Sequence, residues 1–109
     1  MHYTDVLRLL ALNDTRLAGE LVGSSVPDFV ELDPKTLALV RLAALVAVGG
    51  TLPSYGVQAD VAVSAGASAA EIVAVLVGVV DVVGLPRVVA AAPRLAMALG
   101  YDTDEAFEP

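Results

Sequence analysis

From residue 33 onward, apolar positions recur with the spacing of an α-helix, and short breaks containing glycine, proline or hydroxyl residues divide them. The pattern predicts four helices, which span Thr36–Val48, Thr51–Ala65, Ser68–Val83 and Pro86–Gly100. Two of the helix starts are strongly marked. Asp33 and Pro34 join an N-cap residue to a first-turn proline, and Ser68 and Glu71 form the S-x-x-E pattern of a capping box. Pro93 predicts a kink or a restart within the last helix.

The N-terminal part of the chain predicts shorter elements. Thr4–Leu12 and Asp14–Val22 have the pattern of two short helices, and Gly23–Leu32 reads as the loop that links them to the rest. The length suits one domain over residues 1–109. Its three expected parts are the N-terminal short helices and loop (1–31), the core helices (32–100) and an acidic tail (101–109).

Valine is abundant in the last two predicted helices, so a strand is the competing interpretation there. Ile72–Val80 fits a buried strand on residue preference alone. The caps at both ends and the length between them favour a helix instead. We therefore predict an all-α fold, a helical bundle.

One stretch of polar residues stands out against this apolar background. Thr51, Ser54, Tyr55 and Gln58 follow the spacing i, i+3, i+4 and i+7, which places all four on one face of a helix. This face is either solvated or lines a binding site.

The hydrophobic fraction of 57% exceeds the roughly 45–50% that is usual for a globular domain, and the mean hydropathy is +0.75. A membrane span needs about 18 or more uninterrupted apolar residues, and charges, glycines and Pro53 interrupt every candidate. No basic start precedes an apolar segment, as a signal peptide would require. We therefore expect a cytoplasmic homo-oligomer that buries apolar surface between copies. Membrane association is the minor alternative.

Charge and composition exclude several classes of function. The net charge of −7 argues against nucleic acid as a partner, because phosphates require basic surfaces. The absence of cysteine excludes disulfides, thiolate metal sites and thiol catalysis. The single histidine, His2, lies at the N-terminus, which makes a histidine-based metal or acid–base site improbable. We therefore expect no metal and no cofactor.

Three segments carry a resemblance to a known family: LDPKTLALVRLAALVAVGG, then AGAS at the end of the next helix, then AAEIVAVLVGVVDVVGLP. Over about Leu32 to Leu99 the chain resembles the carboxymuconolactone decarboxylase family, which includes the alkylhydroperoxidase D-type proteins. The matching features are helix boundaries rather than catalytic residues. The resemblance implies an alkylhydroperoxidase D-like helical fold and assembly into trimers or hexamers.

The resemblance also implies where reactive groups would lie. The redox branch of the family carries a CxxC pair at the start of the middle helix and a histidine four residues later, and Thr51, Ser54 and Gln58 stand at those positions here. An acidic residue of the preceding helix falls near Ala38. Peroxide reduction needs an oxidisable thiolate, so the resemblance does not extend to peroxidase activity. The decarboxylase branch does not need the cysteines, but the place of its middle-helix histidine is likewise taken by Gln58 here, which leaves Tyr55 or water as the proton donor.

Each residue of the polar face has both a structural and a functional interpretation. Thr51 fits an N-cap and Ser54 a first-turn hydrogen-bond partner, while Tyr55 fits an amphipathic residue with its hydroxyl at the surface. Alternatively, Thr51 and Ser54 contact a substrate, and Gln58 and Tyr55 polarise or protonate one of its oxygens. For Gln58 the two interpretations, a solvated helix residue and a pocket residue, carry equal weight.

Two charged residues interrupt apolar runs, and we expect both to be buried. Arg41 lies within TLALVRLAALVAV and Asp81 within VLVGVVDVVG. They can form an ion pair with each other, or Asp81 can pair with Arg87. In the sharper interpretation, Arg41 clamps a substrate carboxylate and Asp81 acts as a general base. Arg94, like Asp60, is expected to be a solvated surface charge.

Two functions of different class remain open from the sequence. The first is a decarboxylase-like protein that binds a small anionic or oxygenated organic molecule and acts as a cofactor-free lyase or isomerase. The second is a catalytically silent binding or assembly module of the same fold. The candidate catalytic residues are Gln58, Tyr55 and Asp81, and the candidate substrate-binding residues are Arg41, Thr51 and Ser54.

Overall fold

The computed structural model describes residues 2–13 and 32–101, and within these ranges every regular element is an α-helix. The helices are α1 (Tyr3–Ala11), α2 (Pro34–Val48), α3 (Leu52–Ser64), α4 (Ala69–Gly78), α5 (Val80–Val83) and α6 (Leu85–Ala98). The predicted all-α fold class is confirmed.

The chain divides into two compact units, Met1–Leu32 and Asp33–Pro109. In the first unit, α1 lies within one residue of the predicted helix at both ends. The helix predicted at Asp14–Val22 lies outside the described residues, as does the loop predicted at Gly23–Leu32, apart from its last residue.

The second unit begins its helices at the predicted caps. Asp33 accepts a hydrogen bond from the Thr36 amide at 2.8 Å, which opens α2 and lowers the pKa of the Asp33 carboxyl. Ser68 and Glu71 form the complete capping box of α4, with both hydrogen bonds at 3.0 Å. Glu71 also forms a 2.9 Å ion pair with Lys35, which lowers the pKa of Glu71, raises that of Lys35 and links the first turns of α2 and α4.

The predicted helix Ser68–Val83 is interrupted at Val79, so this part of the prediction is wrong. Val79 is a turn residue between α4 and α5, and the Val82 amide bonds to its carbonyl at 3.0 Å with the tighter i→i−3 spacing. Gly78 and the valines after it have low helix propensity, and no side chain caps α5. The helical segment is therefore interrupted at Val79, before Gly84 ends α5.

The last helix, in contrast, does not restart at Pro93. α6 runs from Leu85 to Ala98 as one element, with Pro86 in its first turn and Pro93 exposed on its surface. The preceding Gly84 has φ +91°, a backbone conformation that residues other than glycine rarely adopt. This conformation ends α5 and leads into α6.

The core of the second unit lies where α2, α3, α4 and α6 pack together. Its buried residues are all apolar apart from the tyrosine hydroxyl, and most lie three or four positions apart on their helices: Ala38, Leu42 and Val46; Tyr55, Ala59 and Ala62; Ile72 and Leu76; Val88, Ala91 and Leu95, with Ala67 before α4. This spacing is the one-sided burial expected of amphipathic helices.

Many large apolar side chains remain exposed on the outer faces of these helices. Among the described residues of the second unit, Val48, Val77 and Val82 are the most exposed of these, each with more than 70% of its surface accessible. Among the helices that the structure describes, none has both the length and the apolarity needed to cross a bilayer.

Candidate functional site

The turn between α2 and α3 brings the polar face predicted from the sequence to the end of the bundle. Gly49 has φ +83° and ends α2, and Thr51 caps α3 by accepting from the Ser54 amide at 3.2 Å. The hydroxyls of Thr51 and Ser54 also bond to each other at 2.9 Å. The structural interpretation of both residues is therefore confirmed, because each hydroxyl is used within the first turn of α3.

Tyr55 is a core residue, so the prediction of a surface hydroxyl is wrong. Its side chain is 1% exposed, and its hydroxyl donates to the Leu45 carbonyl of α2 over a long 3.4 Å. Burial follows from its position, one turn before Ala59 on the face of α3 that packs against the other helices. Tyr55 nevertheless lines a cleft.

This cleft lies between the end of α2, the start of α3 and the exposed side of α6. It has a volume of about 200 Å³ and is partly open to solvent. Its apolar surface comes from Val46, Gly49, Pro86, Ala90 and Ala91, together with Tyr55. Ala90 and Ala91 have small side chains in the middle of α6, and this leaves the space that the cleft occupies.

Two arginines, Arg87 and Arg94, provide the charge of the cleft. They are seven residues apart on α6, so they lie on one face of that helix, two turns from each other. Arg94 donates from Nη1 to the Gly50 carbonyl at 3.2 Å. A Cβ atom built on Gly49 would lie 3.5 Å from Nη1 of Arg87. Both guanidinium groups therefore flank the same two-residue turn.

The cleft is electropositive with an apolar floor. Among the residues that the structure describes, neither arginine forms an ion pair with a carboxylate. A guanidinium has five N–H donors, and the Gly50 carbonyl takes only one from Arg94. The described lining residues include no carboxylate, imidazole or thiol. The arrangement can hold an anion, and Tyr55 carries the one O–H group among those described lining residues.

Gln58 lies on the same side of α3 but does not line the cleft. Its side chain is half-buried, and Oε1 is enclosed without a hydrogen-bond donor among the described residues. A buried acceptor left without a donor costs about 1–3 kcal/mol. The solvated interpretation of Gln58 is therefore wrong for its oxygen, and the structure does not bring Gln58 together with the arginines.

The predicted burial of Arg41 and Asp81 is wrong for the single chain. Both side chains are exposed. Within the described part of the chain, Asp81 forms an ion pair with neither Arg41 nor Arg87. Arg41 follows Val40 on the outer face of α2, next to the buried face that Ala38 and Leu42 form. Asp81 lies in the short α5, which has no buried residue. The roles of Arg41 as a carboxylate clamp and of Asp81 as a general base relied on burial, which the single chain does not provide.

Sequence reasoning missed the two residues that charge the cleft. The sequence predicts Arg87 only as an ion-pair partner for Asp81 and Arg94 only as a solvated surface charge. Arg94 is exposed as predicted, but it also donates a hydrogen bond to the Gly50 carbonyl. A signal was present: two arginines seven residues apart, with Ala90 and Ala91 between them, form a charged helix face with a gap in its middle.

Comparison with known proteins gives one match. The sequence pattern of the Carboxymuconolactone decarboxylase family matches residues 28–97, which is well over half of the chain and extends through α2 to all but the end of α6. No curated protein and no solved structure matches the chain. The helices have the alkylhydroperoxidase D-like, all-α character that the resemblance implies. The chain belongs to the carboxymuconolactone decarboxylase family.

Proposed function

We propose that this protein binds a small organic anion in the cleft between α2, α3 and α6, with Arg87 and Arg94 holding the charge. The observation that carries the proposal is the pair of guanidinium groups beside one turn, above an apolar floor. Guanidinium groups suit carboxylates because two parallel N–H donors match the two carboxylate oxygens.

Binding has more support than decarboxylation at this cleft. A carboxylate held by guanidinium groups is stabilised before reaction, and loss of CO₂ would move its charge away from them. The Tyr55 hydroxyl, the candidate proton donor, already donates to the Leu45 carbonyl. The lyase or isomerase step suggested by the resemblance would therefore need a proton carrier other than the described lining residues. Thiol-based peroxide reduction has no support, since none of the 109 residues is a cysteine.

Arg87→Ala tests the binding site. We expect the affinity for a small anion to fall about 10- to 100-fold, because charge-assisted hydrogen bonds contribute about 1.5–3 kcal/mol and each 1.4 kcal/mol is tenfold. Arg87 is exposed and makes no hydrogen bond to another described residue, so the free energy of unfolding should change by less than about 0.5 kcal/mol. NMR titrations with acetate, benzoate and inorganic phosphate at low ionic strength would measure the affinity.

Arg41→Ala is the matched control, since it removes the same charge from an exposed site on α2 that does not line the cleft. It should leave binding unchanged. Equal losses in both variants would mean that anions respond only to overall charge, and binding that survives Arg87→Ala would contradict the cleft as the site.

A second candidate function, self-assembly, is favoured by a different observation. The outer faces of the helices carry exposed valines, such as Val48, Val77 and Val82, which a monomer rarely leaves uncovered in large patches. Over residues 33–101 the four acidic and four basic side chains balance, so the charge of this helical part does not oppose association, and the net charge of −7 comes from the rest of the chain. We infer a homo-oligomer, a trimer or hexamer by the family resemblance.

Sedimentation velocity decides whether the chain associates. We expect a species of three or six chains of 11.1 kDa each at micromolar concentration. The association should persist at high salt, because apolar contacts rather than ion pairs would hold it. A single 11.1 kDa species at all concentrations would exclude this candidate and leave anion binding as the only function with support.

A further inference from the structure

The lining of the cleft narrows the class of anion. We infer that the ligand is a small monocarboxylate with an unhydroxylated apolar body, a single ring or a short chain. The inference rests on the proposed binding function and adds three constraints to it: the number of charged groups, the polarity of the body and its size.

The charge constraint follows from where the arginines reach. Although Arg87 and Arg94 begin two helical turns apart, both guanidinium groups flank Gly49 and Gly50. They can therefore act on one anionic group at the turn. Arg94 has one donor committed to the Gly50 carbonyl, whereas Arg87 has none committed to another described residue. A single carboxylate matches these donors, because it offers acceptors and no hydrogen to donate.

The polarity constraint follows from the floor. Beyond the two arginines, the side chains that line the cleft are hydrocarbon, apart from Tyr55, whose hydroxyl donates to the Leu45 carbonyl. A ligand hydroxyl placed against these side chains would exchange water for a mostly hydrocarbon surface, which costs free energy. Inorganic phosphate is also disfavoured, because it has no apolar part to place against Val46, Ala90 and Ala91.

The size constraint follows from the volume. About 200 Å³ lies below the range of about 300–1,000 Å³ that is usual for the pockets of larger ligands. Ala90 and Ala91 leave this space open, since each lacks the longer side chain that would fill it. Ala90 is exposed in the free chain, so a larger residue there can fill the cleft without disturbing the core.

Calorimetric titration of the full chain tests the inference with four probes: benzoate, its neutral analogue benzamide, 3,4-dihydroxybenzoate and inorganic phosphate. We expect benzoate to bind at least tenfold more tightly than each of the others. Ala90→Leu should weaken benzoate binding at least tenfold, although it leaves both arginines in place. Arg41→Ala should leave benzoate binding unchanged.

The outcomes separate this inference from the function beneath it. Equal, Arg87-dependent binding of benzoate and phosphate, or of benzoate and dihydroxybenzoate, would overturn the ligand class and leave anion binding intact. Unchanged benzoate affinity in Ala90→Leu would overturn the placement of the ligand body. Absence of binding by every anion would overturn both the ligand class and the proposed function.

Discussion

Replacing Tyr55 by alanine should lower the free energy of unfolding by about 3–5 kcal/mol, the usual cost of removing a buried aromatic side chain. Tyr55 is 1% exposed and is among the largest fully buried side chains of the core. Its ring packs where α3 meets the end of α2, and packed helices relax only partly around the space that such a side chain leaves. Guanidinium denaturation followed by circular dichroism at 222 nm would measure the loss.

Tyr55→Phe is the informative control because it keeps the ring and removes only the hydroxyl. The bond to the Leu45 carbonyl is long, at 3.4 Å, so we expect a loss at the lower end of the usual range of about 0.5–1.5 kcal/mol. Benzoate affinity should stay within about twofold. A Phe variant that folds normally but loses binding or turnover would restore the hydroxyl to the functional role that the sequence suggested.

Leu42→Ala should have the second large effect, a loss of about 2–5 kcal/mol. Leu42 is 0% exposed and occupies the middle of the buried face of α2, between Ala38 and Val46. Alanine leaves a cavity there, because the surrounding helices are held by their own packing and relax only partly. Thermal unfolding should show a fall in Tm of about 8 °C or more.

The neighbouring Arg41→Ala separates burial from sequence position in the same experiment. Arg41 is exposed, so its replacement should change the free energy of unfolding by less than about 0.5 kcal/mol. Similar losses in both variants would mean that the outer face of α2 is buried in the assembled protein. In that case the predicted burial of Arg41 would hold between subunits although it fails within one chain.

The sequence by itself determined the helices and most of their ends. Asp33, Thr51 and the capping box at Ser68 each place a side-chain acceptor where the first amides of a helix lack partners, and this chemistry is local. The break at Val79 was missed because glycine and valine only weaken a helix, and weak preferences do not locate a boundary. The absence of cysteine likewise ruled out thiol chemistry without any structure.

Only the tertiary structure decided which polar residues meet. Arg41 and Asp81 stand in apolar runs, yet a run of alanine and valine covers every face of a helix and does not say which face is buried. Packing turned Tyr55 into the core and left Arg41 outside.

The same packing laid α6 against the turn at Gly49 and Gly50, where Arg87 and Arg94 now stand. Arg87 and Arg94 are each separated from Gly49 and Gly50 by almost forty positions or more in the chain. The cleft therefore forms only where three helices pack together. Each helix boundary is set by neighbouring residues, so the helices could be predicted from the sequence. The packing of the helices depends on distant residues, so the cleft could not.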